Sequence, residues 1–448
     1  MSRTLRLALH PYGVGGPGQH GLWKDPTVAK DASVDIDYYI RLAKTAEAAL
    51  FDALFIVDSQ FINATYPAHY LNRLEPLTLL SAVATHTTHL GLVGTLSSTY
   101  NSPFNLARRF ASLDHISRGR AGWNVVTSFD TGTSRNYGLD EHLDYPTRYG
   151  RALESVQVVR GLWDSYEDDA FLRDRESGLF VDPDKVHLVD HRGAHFQIRG
   201  PLNVGRPPQG YPVVVQAGAS DAGRELAGRT AEVVFTANLT LEDAQAFYAD
   251  LKARAGRYGR QPHEILIMPG IFPVLGGSEA EAQANYEALQ ALIHPSVAWS
   301  ILKRHYGEVD LSGYSLDDKA PPLPRETNGN RSRLKLVSDL VERDRPTLRE
   351  LYRTVSTARG HRTVIGTPDQ VADAIQDWFE NGAADGFNIM PPVLPAGLTD
   401  FIDQVVPILR RRGLFRSEYE GRTLRDNLGL ARPANRFAGA RGGRVAAE

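Results

Sequence analysis

The sequence predicts an α/β protein, a single TIM-like (β/α)8 barrel with insertions. Three observations carry this expectation. Eight short apolar runs recur along the chain, separated by stretches with helical period. Such alternation implies a parallel sheet, and eight repeats suit a closed barrel better than a doubly wound open sheet, which more often stops at about five or six strands. The length of 448 residues exceeds the roughly 250 that such a barrel needs, so room remains for insertions.

The first run is Leu5–His10. Ser33 to Leu50 follows with Ile36, Tyr39, Ile40, Ala43 and Ala46 in helical phase. Ala53–Val57 is wholly apolar, as a strand covered on both faces should be. Pro76 opens the next helix, where the first turn tolerates proline, and Leu90–Thr95 is the third strand. Pro103 opens a helix that leads to the fourth strand, Ala121–Thr127. Leu153, Val156, Val159 and Leu162 put a helix over Tyr149 to Leu162. The remaining strands are Val213–Gln216, Glu232–Thr236, Ile265–Phe272 and Gly386–Met390. Helical stretches at Ala222–Thr230, Leu241–Tyr258 and Pro368–Asn381 lie between them.

Two segments break the repeat, at about 164–206 and 276–355. Both read as insertions, either shaping a pocket at one barrel end or lying on the surface. The expectation is one barrel domain over 1–430 and a loose basic tail over 431–448. From Arg410 onward there are ten arginines and four acidic residues, without the aromatic interleaving of a nucleic-acid surface.

Composition narrows the chemistry. Fifty basic and 53 acidic residues give a net charge of −3, which argues against nucleic-acid binding by bulk charge. There is no cysteine, so disulfides, thiolate metal sites and a thiol nucleophile are excluded. No run reaches the ~18–20 apolar residues of a membrane helix, and the N-terminus lacks a signal-peptide core. A soluble, cytoplasmic protein is expected, with no membrane contact. His86 and His89 lack the further ligands a metal site needs, and no metal is expected.

Polar residues recur at matching strand ends. Asp58 follows the second strand, Thr95 ends the third, and Asn124 lies within the fourth. Alternation sends one of Trp123 and Asn124 to the helix layer and the other into the barrel. An inward asparagine must satisfy its amide, by a neighbouring side chain or by a polar heterocycle such as a flavin edge. Ser220 stands where a Gly-Ala-Ser turn enters a helix, which makes either an N-cap or a phosphate site. Gly13, Gly15 and Gly18 match G-x-G-x-x-G, but Pro26 and the absence of helical period behind them oppose a dinucleotide site. A flexible loop at the barrel mouth is expected there, with His20 and Trp23 as pocket candidates.

Arg120 to Ser128 (Arg-Ala-Gly-Trp-Asn-Val-Val-Thr-Ser), preceded by Ser112 to His115 (Ser-Leu-Asp-His), resembles the bacterial-luciferase-like flavin monooxygenases. The matching branch holds nitrilotriacetate, dibenzothiophene-sulfone and long-chain-alkane monooxygenases and the pristinamycin synthase large subunit. His20–Trp23, Phe51–Phe55, Gln216–Ser220, Asp385–Asn388, Val405–Pro407 and Arg412–Arg416 match in the same order, spanning about 20 to 430.

The resemblance implies an FMNH2-dependent monooxygenase. Reduced FMN, supplied by a separate flavin reductase, meets O2 and forms a C4a-peroxyflavin that oxygenates a small organic substrate. By motif position, Asp58, Thr95, Asn124, Tyr145, Tyr149 and Ser220 would bind FMN, with Ser220 on its phosphate. Tyr145 stands where relatives commonly carry histidine, and Phe129 where some do. His20 and His10 are the candidates for catalysis. The chain is expected to form a homo-oligomer, a dimer or a tetramer. The alternatives are an F420-dependent oxidoreductase on the same barrel and a flavin-binding barrel without catalysis.

Overall fold

The computed structural model describes residues 3–16, 21–62, 66, 68–306, 309–324 and 331–438. Eight parallel strands close into a barrel: β1 (Arg6–Leu9), β2 (Ala53–Ile56), β3 (Gly91–Ser97), β4 (Ala121–Val126), β5 (Val213–Ala217), β6 (Val233–Thr236), β7 (Leu266–Leu275) and β9 (Gly386–Ile389). The pairings run in chain order around the barrel, and β9 returns to β1. These eight strands are the ones the hydrophobic runs predicted.

A further strand, β8 (Arg362–Gly366), was not expected. It adds to β7 alone, because β7 is long. Its first half pairs with β6, and Ile271 to Leu275 pair with β8. β8 therefore rises from the rim on the C-terminal side of the barrel.

Alternation along each strand sorts the side chains. Ala8, Phe55, Val93, Val215, Phe235 and Met268 pack together inside the barrel. Leu7, Leu54, Leu92, Trp123 and Phe387 face the helix layer. The helices start as their sequences require. Asp35 caps Ile36–Ala48 by accepting from the amides of Asp37 and Tyr38. Proline occupies the first turn of Pro76–Ala84, Pro103–Ser117 and Pro368–Glu380.

The two insertions occupy different ends. The segment at 164–206 follows helix Tyr145–Trp163 and precedes β5, so it starts from the N-terminal end of the barrel. It folds back along the outside of that helix, where Glu154 accepts from the amides of His195 and Phe196. The segment at 276–355 follows β7 and stands at the C-terminal end, where barrel active sites lie. It carries helices Glu279–Ala291, Pro295–Tyr306, Arg331–Asp344 and Leu348–Ala358. Ile301, Leu302, Tyr306, Val337, Leu351 and Tyr352 give it an apolar core of its own.

The C-terminal segment closes the barrel floor. Leu424 packs beneath Gly91 at the start of β3, where a side chain on Gly91 would collide with it. Arg425 donates to both oxygens of Glu232, just before β6, at 2.7 and 2.9 Å. Arg416 pairs with Asp52, just before β2, at 2.6 Å, and both side chains are almost wholly buried. The first part of the expected loose tail is packed. Asn435 donates to the carbonyls of Asp164 and Tyr166, and Phe437 stacks on His187. Residues 439–448 lie outside the described residues.

Candidate active site

Thr95 and Asn124 are paired neighbours on β3 and β4, and both face the barrel interior. The Asn124 amide donates to Thr95 Oγ1 at 2.8 Å. Its carbonyl oxygen is buried and has no hydrogen-bond partner among the described residues. A buried orphan acceptor costs about 1–3 kcal/mol, so this one points to a ligand that donates to it. Trp123 takes the opposite face, and its indole donates to the Leu96 carbonyl.

One strand further on, Ser220 caps helix Asp221–Thr230 by accepting from the Gly223 amide at 3.2 Å. The helix containing Tyr145 and Tyr149 begins four residues earlier than its apolar period indicated, at Tyr145. Asp144 caps it, and the two tyrosines fall one turn apart on one face. The Tyr145 hydroxyl donates to Ser220 Oγ, and the Tyr149 hydroxyl lies 3.4 Å from the same atom. Two phenols, a serine hydroxyl and a helix N-terminus thus converge. That set of donors and the helix dipole suit a phosphate.

Asp58 lies beyond β2 and pairs with Arg73 at 3.3 Å. Burial pushes its carboxyl up, and the Arg73 guanidinium opposes the shift. The Arg73 guanidinium also lies over the Tyr70 ring.

His10 is fully buried between Phe55 and Phe235, with ring centroids at 4.5 and 4.9 Å. Burial lowers its pKa to about 3, so the ring is neutral at ordinary pH. The Phe55 carbonyl can only accept, so Nδ1 carries the proton and donates to it at 3.0 Å. Nε2 then accepts from the Tyr12 hydroxyl at 2.8 Å. His10 holds Tyr12 at the rim and leaves neither ring nitrogen open to a substrate. His20 lies outside the described residues, and Trp23 is exposed.

The glycine loop differs from the flexible loop expected of it, as far as Gly16. Tyr12 and Gly15 bond to each other across a tight turn, with Gly13 at φ 62°. Gly15 packs on Leu22 and the Pro392 carbonyl, and Gly16 on Phe272, so neither has room for a side chain. The glycines serve close packing across the barrel mouth. Residues 17–20 lie outside the described residues.

The segment Arg359–His361, just before β8, was not singled out from the sequence. His361 stacks on Phe235 at 4.9 Å and 13°. Arg359 donates to the Tyr70 hydroxyl. A cleft of about 500 Å3 opens beside β8, lined by Tyr286, Thr354, His361, Thr363 and Trp378 among others. None of the six expected FMN residues lines it. The strand signal at β8 was present in Thr363-Val364-Ile365, punctuated by Gly366 and followed by a Thr-Pro helix start.

Residues 17–385 match the family of luciferase-like monooxygenases. The chain belongs to this family. It is 52% identical over 427 residues to N-acetyl-S-(2-succino)cysteine monooxygenase of Bacillus subtilis (strain 168), covering 95% of this chain and 97% of that one. It is 47% identical over 431 residues to nitrilotriacetate monooxygenase component A of Aminobacter aminovorans, covering 94% and 95%. Among solved structures, long-chain alkane monooxygenase superposes with a TM-score of 0.84 at 33% identity, covering 96% of each chain. Riboflavin lyase, solved with modified FMN and riboflavin, gives 0.85 at 31% identity over 98% of this chain and 100% of that one. As a luciferase-like monooxygenase, the chain is a flavin-dependent oxidoreductase that oxygenates a small substrate. F420-dependent barrels at 14–15% identity share the fold alone. Among the described residues, no helix is long and apolar enough to cross a membrane.

Proposed function

We propose that the chain binds reduced FMN delivered by a separate flavin reductase and uses it with O2 to oxygenate a small organic substrate. The observation that carries this reading is the partnerless carbonyl oxygen of Asn124, buried beside Thr95. A flavin edge offers a ring N–H to that oxygen, and its carbonyls can accept from the Thr95 hydroxyl. Ser220, Tyr145 and Tyr149 would hold the phosphate at the N-terminus of helix Asp221–Thr230. Asp58, fixed by Arg73 beyond β2, would contact the cofactor on the side of Thr95 away from Ser220. Bound reduced FMN supplies the electrons that activate O2, leaving one oxygen atom on the substrate and the other in water.

The chain's own part is to orient and to exclude water. The Asn124–Thr95 pair is held in strand register and cannot swing away. Phe55, Phe235 and His10 form an apolar wall beside it, and a dry wall strengthens each polar contact to the cofactor. The nitrilotriacetate relative is named as one component of its monooxygenase, which supports a partner protein that provides reduced flavin. The reading includes a homo-oligomer, dimer or tetramer, to be measured by light scattering.

Anaerobic titration with photoreduced FMN tests the reading. Saturable quenching of flavin fluorescence is expected. No binding of reduced FMN would refute it.

A further inference from the structure

Three of the five buried arginines among the described residues face a carboxylate, while Arg120 and Arg148 donate to carbonyl oxygens. Arg206 meets Asp164 and Asp168, Arg416 meets Asp52, and Arg425 meets Glu232. Arg359 differs. Among the described residues no carboxylate comes within 4.0 Å of it, and its immediate neighbour is the Tyr70 hydroxyl and ring. Tyr12, Tyr66 and Asp130 lie near enough to feel its charge. The Tyr66 hydroxyl is turned to Asp130, which also accepts from Ser59 at 3.0 Å. Asp130 therefore acts on Arg359 at a distance, without a direct ion pair.

Arg359 also sits in an unfavourable backbone conformation. It follows helix Leu348–Ala358 at φ 50°, in the left-handed region where glycine or asparagine is usual. Gly360 follows at φ 77°. This double left-handed turn carries Arg359 and His361 over the C-terminal mouth of the barrel, just ahead of β8. There His361 meets Phe235, Tyr70 packs 6.1 Å from Tyr12, and the Arg359 charge reaches His10. The phosphate cradle at Ser220 stands beyond β5, so it makes no claim on this cation.

We propose that Arg359 is the specificity determinant of the substrate pocket and takes a carboxylate group of the substrate. This rests on the oxygenase reading above. A guanidinium offers a planar fork that matches the two oxygens of a carboxylate. The Tyr70 hydroxyl, which accepts from Arg359, stands beside it. A substrate carboxylate would supply the direct ion pair that Arg359 lacks. A neutral substrate would leave the guanidinium without a direct ion pair.

The test compares wild type with R359A, R359Q and R359K. The probes are two carboxylates, nitrilotriacetate and N-acetyl-S-(2-succino)cysteine, and two neutral compounds, dimethyl sulfide and dibenzothiophene sulfone. Calorimetry on the FMN-loaded protein reads binding, and a coupled assay with a flavin reductase reads KM and kcat. Wild type should bind a carboxylate and neither neutral compound. R359A and R359Q should weaken carboxylate binding and raise its KM by about 10- to 100-fold, with kcat moving far less. R359K should recover part of the loss, and FMN affinity should stay within about twofold. Should R359A fail to fold, R359Q and R359K carry the comparison. Oxygenation of a neutral compound alone, no binding of either carboxylate, or an unchanged KM in R359Q would each overturn the proposal and leave the oxygenase reading standing. Failure of wild type to bind reduced FMN would sink the oxygenase reading, while carboxylate calorimetry on the protein without FMN would still report on Arg359.

Discussion

The Tyr145 hydroxyl donates to Oγ of Ser220, a residue 75 positions further along the chain. One partner opens a helix and the other caps the next helix of the barrel. The serine oxygen therefore does two tasks, fixing a helix start and completing a polar cradle. S220D places a negative charge where a phosphate is expected and should weaken FMN binding by at least about 100-fold. S220A should cost about 1 kcal/mol of stability through the lost cap and weaken FMN several-fold. Flavin fluorescence titration and thermal melts separate the two effects. Equal FMN affinity in S220D and wild type would remove Ser220 from the cofactor site.

Asn124 and Thr95 can be deleted together without leaving an orphan. The double variant T95V/N124L replaces two bonded polar groups by apolar ones of similar size, so its melting temperature should stay close to wild type. Its FMN affinity should fall about 10- to 100-fold. N124L alone leaves the Thr95 hydroxyl buried without its donor and should be the less stable of the two. A double variant that folds and binds FMN normally would show that the pair is only structural.

His10 ties stability to pH. Its pKa is about 3 in the native protein against 6.5 in the unfolded chain. The native state therefore binds fewer protons, and the neutral ring stabilises the fold above pH 6.5. That contribution is lost progressively as pH falls toward 3, by about 2 kcal/mol at pH 5. In H10N this slope is absent. Urea melts at pH 8 and pH 5 should show the stability advantage of wild type over H10N shrinking by that amount.

The Arg416–Asp52 pair should behave as a buried ion pair. Removing one partner, as in R416A, strands a charge and should cost about 3–5 kcal/mol. The double variant D52L/R416L removes both charges and should regain most of that loss. Neither residue contacts the cofactor cradle, so folded protein of either variant should bind FMN as wild type does.

The barrel was legible because its strands are buried on both faces and read as apolar runs between helical periods. β8 was missed for the opposite reason. It is a rim strand with four of its five residues only partly buried, so its short Thr-Val-Ile signal does not stand out as a buried run. Trp123 and Asn124 could be split between two layers by alternation alone, but no local pattern could reveal that Asn124 finds a partner for only one end of its amide. The Tyr145–Ser220 contact is a crossing between neighbouring helices, and position in sequence does not encode it. Starting the helix at Tyr149 rather than Tyr145 came from following the apolar stripe, which begins later than the capping residue Asp144. Arg359 was invisible because an arginine after a helix reads as an ordinary C-terminal charge.

The floor of the barrel is made by residues 416–428. Leu424, Arg425 and Arg416 close the base under strands whose sequences come hundreds of residues earlier. During synthesis the N-terminal strands leave the ribosome long before their plug exists. The buried charges of Asp52 and Glu232 wait for Arg416 and Arg425, translated much later. A nascent or C-terminally clipped chain therefore carries a barrel open at its base, with its acidic groups and apolar interior exposed there. Emergence of residues 416–428 is the event that seals the base.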